Sequence, residues 1–255
     1  MAELEVRALW LYPDHMNIYA DRGNIAVLER RCAWRGIGFK LTTLGPGEGF
    51  DPGTHELLYV GGGQDRDQAL VAEDLVVTKR EAIREALARD AAMLAVCGGY
   101  QLLGHSYELP GGASLPGLGI VDLRTVREPG KRLIGNVVIE TDIGARPRRL
   151  AGFENHGGRT YLGDDEQPLG RVVSGFGNDG ASGFEGCRVG RVYGTYLHGP
   201  LLPRNPWFAD RLLGDALAHA DGAAEPPELE ALPDELERRA YDVAVERAGR
   251  RGGRA

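Results

Sequence analysis

The chain has 255 residues and a formal net charge of −7, an acidic balance that argues against a general nucleic-acid binder. Its three cysteines are odd in number and far apart, which fits a reducing compartment and gives no zinc-ligand spacing. With no apolar run of about 18 residues and no leader segment, the sequence predicts a cytoplasmic protein without membrane insertion.

The first part of the sequence alternates short apolar runs with amphipathic stretches. The runs predict buried strands and the stretches predict helices, the first of which Asn24 is suited to cap. This alternation is typical of an α/β fold with a mostly parallel central sheet and helices on both faces. The predicted strands are 6–12, 39–44, 57–60 and 91–96, and the predicted helices are 25–35, 67–89 and a stretch after Cys97.

Beyond residue 107 the runs become short and β-like, separated by turn residues. This pattern predicts an antiparallel extension of the sheet, then a last amphipathic helix at 206–219. We therefore expect one domain over 1–219 and a C-terminal extension over 220–255, with one helix at 234–248 and a disordered end. The predicted strands of this part are 118–125, 137–140, 171–174, 183–187 and 191–197.

Cys97 lies where an apolar strand stops and a helix begins, with Gly98 and Gly99 directly after it. A tight strand-to-helix turn projects its side chain away from both elements, and a helix N-terminus favours a thiolate. The alternative is a small buried cysteine on an ordinary turn, because free cysteine is among the most buried residue types. The turn alone does not decide between the two.

A cysteine nucleophile needs a base, usually a histidine that is near in space rather than in sequence. His198 follows the run 191–197, so a parallel sheet would bring it to the same carboxyl edge as Cys97. His156 lies in the polar stretch 152–160, which we interpret as a loop.

Three consecutive glycines at 61–63 follow another predicted strand. Together with the N–H of Gly98, their backbone N–H groups could bind a developing oxyanion. An ordinary turn between a strand and a helix is the alternative. The sequence has no phosphate-binding loop of the G-x-x-x-x-G-K-[ST] type, so ATP chemistry is expected elsewhere.

Five stretches in order resemble the class I glutamine amidotransferases, in the branch that includes cobyric acid synthase. The nucleophile turn is AVCGGYQLLG, and the whole set is similar to the small glutaminase subunits of lipid II isoglutaminyl synthases. The resemblance covers 6–219 and leaves out the end of the chain. The other four stretches are LYPDHMNIYADRGNI at 11–25, GGGQDRDQ at 61–68, GFENHGGRT at 152–160 and TYLHGPLLPRNP at 195–206.

The resemblance implies an activity and a set of site residues. Cys97 would attack the carboxamide of glutamine to give a glutamyl thioester and ammonia, with His198 moving the proton. Arg132 corresponds to the position that meets the bound glutamine, with the adjacent Lys131 as the alternative register. The other implied glutamine-binding positions are Gly62, Gly63, Gly98, Gln101, Asn155 and His156.

The resemblance also implies partners. The ammonia would pass to a Mur-ligase-like subunit of the MurT type in a hetero-oligomer. That subunit would use ATP and Mg to amidate the D-glutamate α-carboxyl of lipid II to D-isoglutamine, at the inner face of the membrane. No cofactor or metal is expected in this chain. The alternatives are the same chemistry for a corrinoid or another acceptor, and a non-catalytic scaffold.

One departure from the wider class concerns the third member of the catalytic triad. Many class I enzymes have a glutamate two residues after the histidine, where this chain has Pro200. A histidine base works best when a third group fixes its tautomer. Glu154 is the nearest candidate in the chain, and our hypothesis is that the partner supplies the carboxylate instead.

Overall fold

The computed structural model describes residues 4–19, 21–144 and 146–251. In chain order the strands are β1 (Glu5–Leu11), β2 (Gly38–Leu44), β3 (Leu57–Val60), β4 (Ala92–Val96), β5 (Ser106–Glu108), β6 (Ser114–Pro116), β7 (Leu123–Arg127), β8 (Leu133–Thr141), β9 (Arg148–His156), β10 (Gly158–Leu162), β11 (Gly170–Ser174), β12 (Phe184–Glu185), β13 (Cys187–Val189) and β14 (Val192–Thr195). The helices are α1 (Arg22–Trp34), α2 (Asp65–Asp74), α3 (Arg80–Ala88), α4 (Gly98–Gln101), α5 (Leu201–Arg204), α6 (Pro206–Ala220) and α7 (Glu235–Arg251), and a π-helical turn at Leu75–Lys79 joins α2 to α3.

The centre of the fold is a six-stranded sheet in the order β13-β14-β4-β3-β1-β2. All neighbours in it are parallel except β13, which pairs antiparallel with β14 at one edge. Every residue of β3 and β4 is buried, as expected for central parallel strands covered on both faces. The predicted α/β class with a mostly parallel sheet is therefore confirmed.

The second half of the chain forms more than an extension of this sheet. Two further four-stranded sheets have the orders β10-β7-β5-β6 and β12-β11-β8-β9. The stretch 152–160, interpreted from the sequence as a loop, belongs to β9 and β10, so that prediction was wrong. Its polar side chains are mostly buried and hydrogen-bonded to other parts of the chain, which a hydropathy pattern does not reveal.

The first helix begins earlier than predicted, and Asn24 is not its cap. Asp21 occupies the N-cap position, and Asn24 lies buried inside α1. The Asn24 amide donates to the Tyr59 hydroxyl at 3.0 Å, and its oxygen accepts the N–H of Leu202 at 2.9 Å. Asn24 therefore connects α1 to β3 and α5.

The helix predicted at 234–248 is α7, which packs on β8 and β9 through a small apolar cluster that includes Val138, Ala151 and Ala248. The end predicted to be disordered begins at 249, but α7 continues to Arg251, so that prediction was wrong for 249–251. Residues 252–255 lie outside the described residues. In the described ranges no helix is both long and apolar enough to cross a membrane.

Arg31 joins α7 to the body of the fold. It is 1% exposed, and it donates to Asp210 of α6 at 2.6 and 2.7 Å and to Asp234, just before α7, at 2.8 Å. Such bidentate guanidinium–carboxylate contacts are strong and directional. Arg31 therefore links α1, α6 and the start of α7, and Arg35 adds a second contact to Asp210.

We expect Arg31→Met to lower the free energy of unfolding by about 3 kcal/mol, because it leaves Asp234 without its cation and leaves Asp210 with Arg35 alone. For a chain of this size the melting temperature should fall by about 6–12 °C, measured by calorimetry. Arg30→Met, at an exposed neighbour on the same helix, is the matched control and should change it little. Equal shifts for both variants would show that Arg31 does not hold these elements together.

Candidate active site

The nucleophile candidate is the junction between β4 and α4. Cys97 has φ 49° and ψ −103°, a backbone conformation that residues other than glycine rarely adopt. Such a conformation costs about 1–3 kcal/mol and is typical of active sites. The side chain is 4% exposed and lines a cavity of about 450 Å³.

The two glycines after Cys97 are required by close packing. A Cβ on Gly98 would lie 2.8 Å from the backbone nitrogen of Gly63, and one on Gly99 would lie 2.7 Å from the carbonyl oxygen of Val60. Both approaches are closer than real Cβ contacts allow. The turn therefore brings α4 directly against the loop that follows β3.

His198 lies at the same edge of the sheet, shortly after the neighbouring strand β14 ends at Thr195. β14 pairs parallel with β4, with Thr195 opposite Val96, and the N–H of Cys97 donates to the Thr195 carbonyl at 2.7 Å. His198 is fully buried, and its Nε2 has no hydrogen-bond partner among the described residues. Burial lowers the pKa of His198, but the charge of Cys97 and the charge and hydrogen bond of Asp21 outweigh it and raise that pKa. These two neighbours therefore favour the protonated form of the imidazole.

Asp21 is the carboxylate that the sequence analysis missed. Its Oδ1 lies 3.4 Å from Nδ1 of His198, and its Oδ2 accepts the N–H of Gly62 at 2.8 Å. Both carboxylate and imidazole are fully buried. Two sequence signals pointed to Asp21: its position near the start of a helix, where Asp commonly caps, and its place in the stretch 11–25 that carries the family resemblance.

Glu154 is not that carboxylate. It is fully buried on β9, where its oxygens accept the N–H groups of Phe176 at 2.7 Å and Gly177 at 2.9 Å. Its Oε2 also lies 4.0 Å from Nε2 of His156. The choice of Glu154 as the nearest in-chain partner of His198 was wrong, because β9 directs this side chain toward the turn after β11. The hypothesis of a partner carboxylate stays a prediction, and Asp21 is its rival within the chain.

His156 is buried in the cavity wall. Its ring stacks on Tyr196, with ring centroids 3.5 Å apart and planes 4° from parallel. Nδ1 donates to the Gly158 carbonyl at 2.8 Å, because a carbonyl can only accept. Burial lowers the pKa of His156 despite the opposing effect of Glu154. A neutral ring with this tautomer presents Nε2 as an acceptor.

The predicted oxyanion site depends on which glycine N–H groups are free. The N–H of Gly62 already donates to Asp21, and Gly62 does not line the cavity, so it is not available as a donor to a ligand. Gly63 does line the cavity. Within the described residues, neither its N–H nor that of Gly98 donates to another protein group. Gly63 and Gly98, the second of which is not part of the cavity lining, are therefore the remaining candidate donors to an oxyanion.

Arg132 and Asn155 form the mouth of the cavity. Arg132 donates through Nε to the Asn155 side-chain oxygen at 2.8 Å and through Nη2 to its carbonyl at 2.7 Å. Lys131 is exposed and is not part of the lining. Of the two registers considered, the structure brings Arg132 to the cavity.

Gln101 completes the wall on the side of α4. Its side-chain nitrogen donates to the Tyr196 hydroxyl at 3.0 Å, and its oxygen accepts from Gln68 at 3.0 Å. Gln68, which the sequence analysis did not consider, also lines the cavity. In the ranges the structure describes, no group of three or more His, Cys, Asp or Glu residues could hold a metal ion.

Comparison with known proteins shows which family this sequence resembles. Residues 7–206 match the CobB/CobQ-like glutamine amidotransferase domain. The chain is 39% identical over 237 residues to a Staphylococcus aureus (strain N315) protein named lipid II isoglutaminyl synthase (glutamine-hydrolyzing) subunit GatD, covering 93% of each chain. It is also 39% identical over 207 residues to the Streptococcus pneumoniae protein of that name, covering 81% of this chain and 78% of the relative.

Two further comparisons are with more distant proteins. A probable cobyric acid synthase of Methanopyrus kandleri is 36% identical over 176 residues, covering 65% of this chain and 34% of that protein. The solved structure of PurLQS from Thermotoga maritima aligns with a TM-score of 0.54 at 19% identity, covering 84% of this chain and 96% of that chain. This last likeness shows the fold alone.

The geometry predicts that Cys97 is the reactive thiol. Iodoacetamide at pH 7 should alkylate Cys97 on the order of 100-fold faster than Cys32, because Cys97 lines the cavity whereas Cys32 is fully buried. Burial raises the pKa of the Cys32 thiol to about 12 and that of Cys187 higher still. Peptide mass spectrometry gives the three rates. Denatured protein is the control, in which the rates should converge; equal rates in the folded protein would contradict the assignment.

Proposed function

The chain belongs to the CobB/CobQ-like glutamine amidotransferases, and on that basis we propose that it hydrolyses L-glutamine to glutamate and ammonia through Cys97 and His198. The observation that carries the proposal is the pairing of β14 with β4, which brings a strained cysteine and a buried histidine to one edge of the sheet. The cavity in front of them has an arginine at its mouth.

The first half of the reaction forms a thioester. The Cys97 sulfur attacks the carboxamide carbon, and the C=O electron pair moves onto oxygen, where the N–H groups of Gly63 and Gly98 stabilise it. His198 then gives its proton to the nitrogen, the C–N bond breaks and ammonia leaves. Removing one oxyanion donor typically costs about 10²–10³ in rate.

The second half releases glutamate. Water attacks the thioester carbon while His198 takes a proton from it, and the C–S bond breaks to regenerate the thiolate and the protonated imidazole. Arg132 binds the α-carboxylate of glutamine throughout, since a guanidinium suits a carboxylate. Gln101, Asn155 and His156 supply the polar wall around the rest of the substrate.

The proposal extends to the destination of the ammonia. Two relatives that align over most of their length are named subunits of lipid II isoglutaminyl synthase. A Mur-ligase-like partner of the MurT type would bind ATP and Mg and amidate the D-glutamate α-carboxyl of lipid II to D-isoglutamine. The complex would work in the cytoplasm, at the inner face of the membrane where lipid II is held, and this subunit would need no cofactor of its own.

A corrinoid acceptor is the second candidate, because the chain also matches cobyric acid synthases. The chain spans 34% of the Methanopyrus kandleri relative, so most of that protein has no counterpart in it. Mass analysis of stem peptides after co-expression with the ligase decides between the acceptors. A one-unit loss, from carboxyl to amide, is expected for lipid II.

Cys97→Ala should abolish glutamine hydrolysis and glutamine-dependent amidation, because it removes the attacking sulfur. In the complex with the ligase, high concentrations of free ammonia should restore amidation. Cys32→Ala, at a buried cysteine remote from the cavity lining, is the matched control and should keep its activity. A Cys97→Ala enzyme with more than a few per cent of wild-type glutaminase activity would disprove the mechanism.

Asp21→Asn keeps the shape of the side chain and removes its charge. Because Asp21 raises the pKa of His198, the substitution should lower that pKa. We expect kcat to fall by about 10²-fold, and the alkaline limb of the kcat–pH profile, where His198 loses the proton for the leaving ammonia, to move to lower pH. Asp14→Asn, an exposed carboxylate in the same loop, is the control.

The same variant tests the partner hypothesis. If the ligase supplies the carboxylate that orients His198, then Asp21→Asn should have near-normal kcat in the complex. The isolated wild-type subunit should also show weak activity that rises clearly when the ligase is added. A large loss in Asp21→Asn with and without the ligase, together with equal wild-type kcat in both, would assign the role to Asp21.

A further inference from the structure

Tyr19 is a backbone outlier at the mouth of the active-site cavity. It lies between β1 and α1, two residues before Asp21, and has φ 53°. For a bulky aromatic residue this left-handed conformation is costly, and such outliers cluster at ligand-binding and catalytic sites. The side chain is 44% exposed and lines the same cavity as Cys97. Neither the resemblance nor the proposed mechanism assigns it a role.

Two contacts fix the Tyr19 side chain. Its ring meets the His198 ring edge to face, with centroids 5.1 Å apart and planes at 71°. Its hydroxyl lies 2.6 Å from the Asn155 amide nitrogen. The same side chain therefore touches the catalytic histidine and the residue that holds Arg132.

The donors and acceptors in this chain of contacts are determined by Arg132. A guanidinium can only donate, so the Asn155 oxygen must face Arg132, which leaves the Asn155 nitrogen to donate to the Tyr19 hydroxyl. The hydroxyl oxygen is then an acceptor from Asn155, and its own O–H has no acceptor among the described residues. Nη1 of Arg132 likewise has no partner in the described part of the chain.

We propose that Tyr19 is a specificity-determining residue, whose O–H donates to the α-carboxylate of glutamine beside the Arg132 guanidinium. This inference rests on the proposed function. The Tyr19 hydroxyl and the Arg132 guanidinium, from separate loops, then recognise one carboxylate. Asn155 contacts both and so sets the distance between them. Because the Tyr19 ring packs on His198, the group that binds the carboxylate also covers the catalytic base. Amides without an α-carboxylate engage neither donor.

The test is Tyr19→Phe, which removes the hydroxyl and keeps the ring on His198. In the complex with the ligase, KM for L-glutamine should rise by about 10- to 100-fold, the loss expected for a hydrogen bond to a charged group, with kcat little changed. For 4-aminobutanamide, which lacks the α-carboxylate, kcat/KM should be the same in both enzymes. Tyr241→Phe on α7, remote from the cavity lining, is the matched control.

A binding measurement gives the same answer without turnover. On the Cys97→Ala background, calorimetry should show a Kd for L-glutamine about 10- to 100-fold higher with Tyr19→Phe than without it. Unchanged glutamine binding, an equal loss for both amides, or a fall in kcat at constant KM would each overturn the inference while leaving the proposed function intact. A wild-type complex that releases no glutamate from glutamine would overturn the proposed function, and this inference with it.

Discussion

The parallel pairing of β14 with β4 is the constraint on which the site depends. It sets Thr195 opposite Val96, and the N–H of Cys97 continues the ladder to the Thr195 carbonyl. Parallel strands end at a common edge, so a cysteine after one and a histidine after the other must meet. A slip of one residue would turn His198 to the other face of the sheet. Backbone hydrogen bonds between β4 and β14 therefore determine the relative positions of Cys97 and His198.

A buried glutamate, Glu185, holds the residues just beyond the end of β14 in place. Glu185 is fully buried, and it accepts the N–H of Tyr196 at 2.6 Å and the hydroxyl of Thr195 at 3.0 Å. Burial raises the pKa of Glu185 to about 8, although these hydrogen bonds oppose the rise. On the other side, Phe153 and His198 exchange backbone hydrogen bonds. The backbone of His198 is thus held by the residues that precede it and by Phe153 of β9, while Asp21 contacts only its ring.

The sequence predicted the parts of the site that lie on apolar strands. The runs before Cys97 and His198 are buried central strands, whose continuous hydrophobicity gives both the element and the edge at which it ends. Asp21 was missed because its loop is polar and its contact with His198 joins residues far apart in the chain. The stretch around His156 was misinterpreted for a related reason. A strand with buried, hydrogen-bonded polar side chains has the composition of a loop.

The left-handed backbone at Cys97 has a consequence for how the protein evolves. Glycine adopts this conformation freely, whereas cysteine has it at a cost of about 1–3 kcal/mol. In a lineage that lost its need for the thiol, replacement by glycine would remove this backbone cost. Persistence of a cysteine at this turn is thus a sign of continuing selection for activity rather than of a structural requirement.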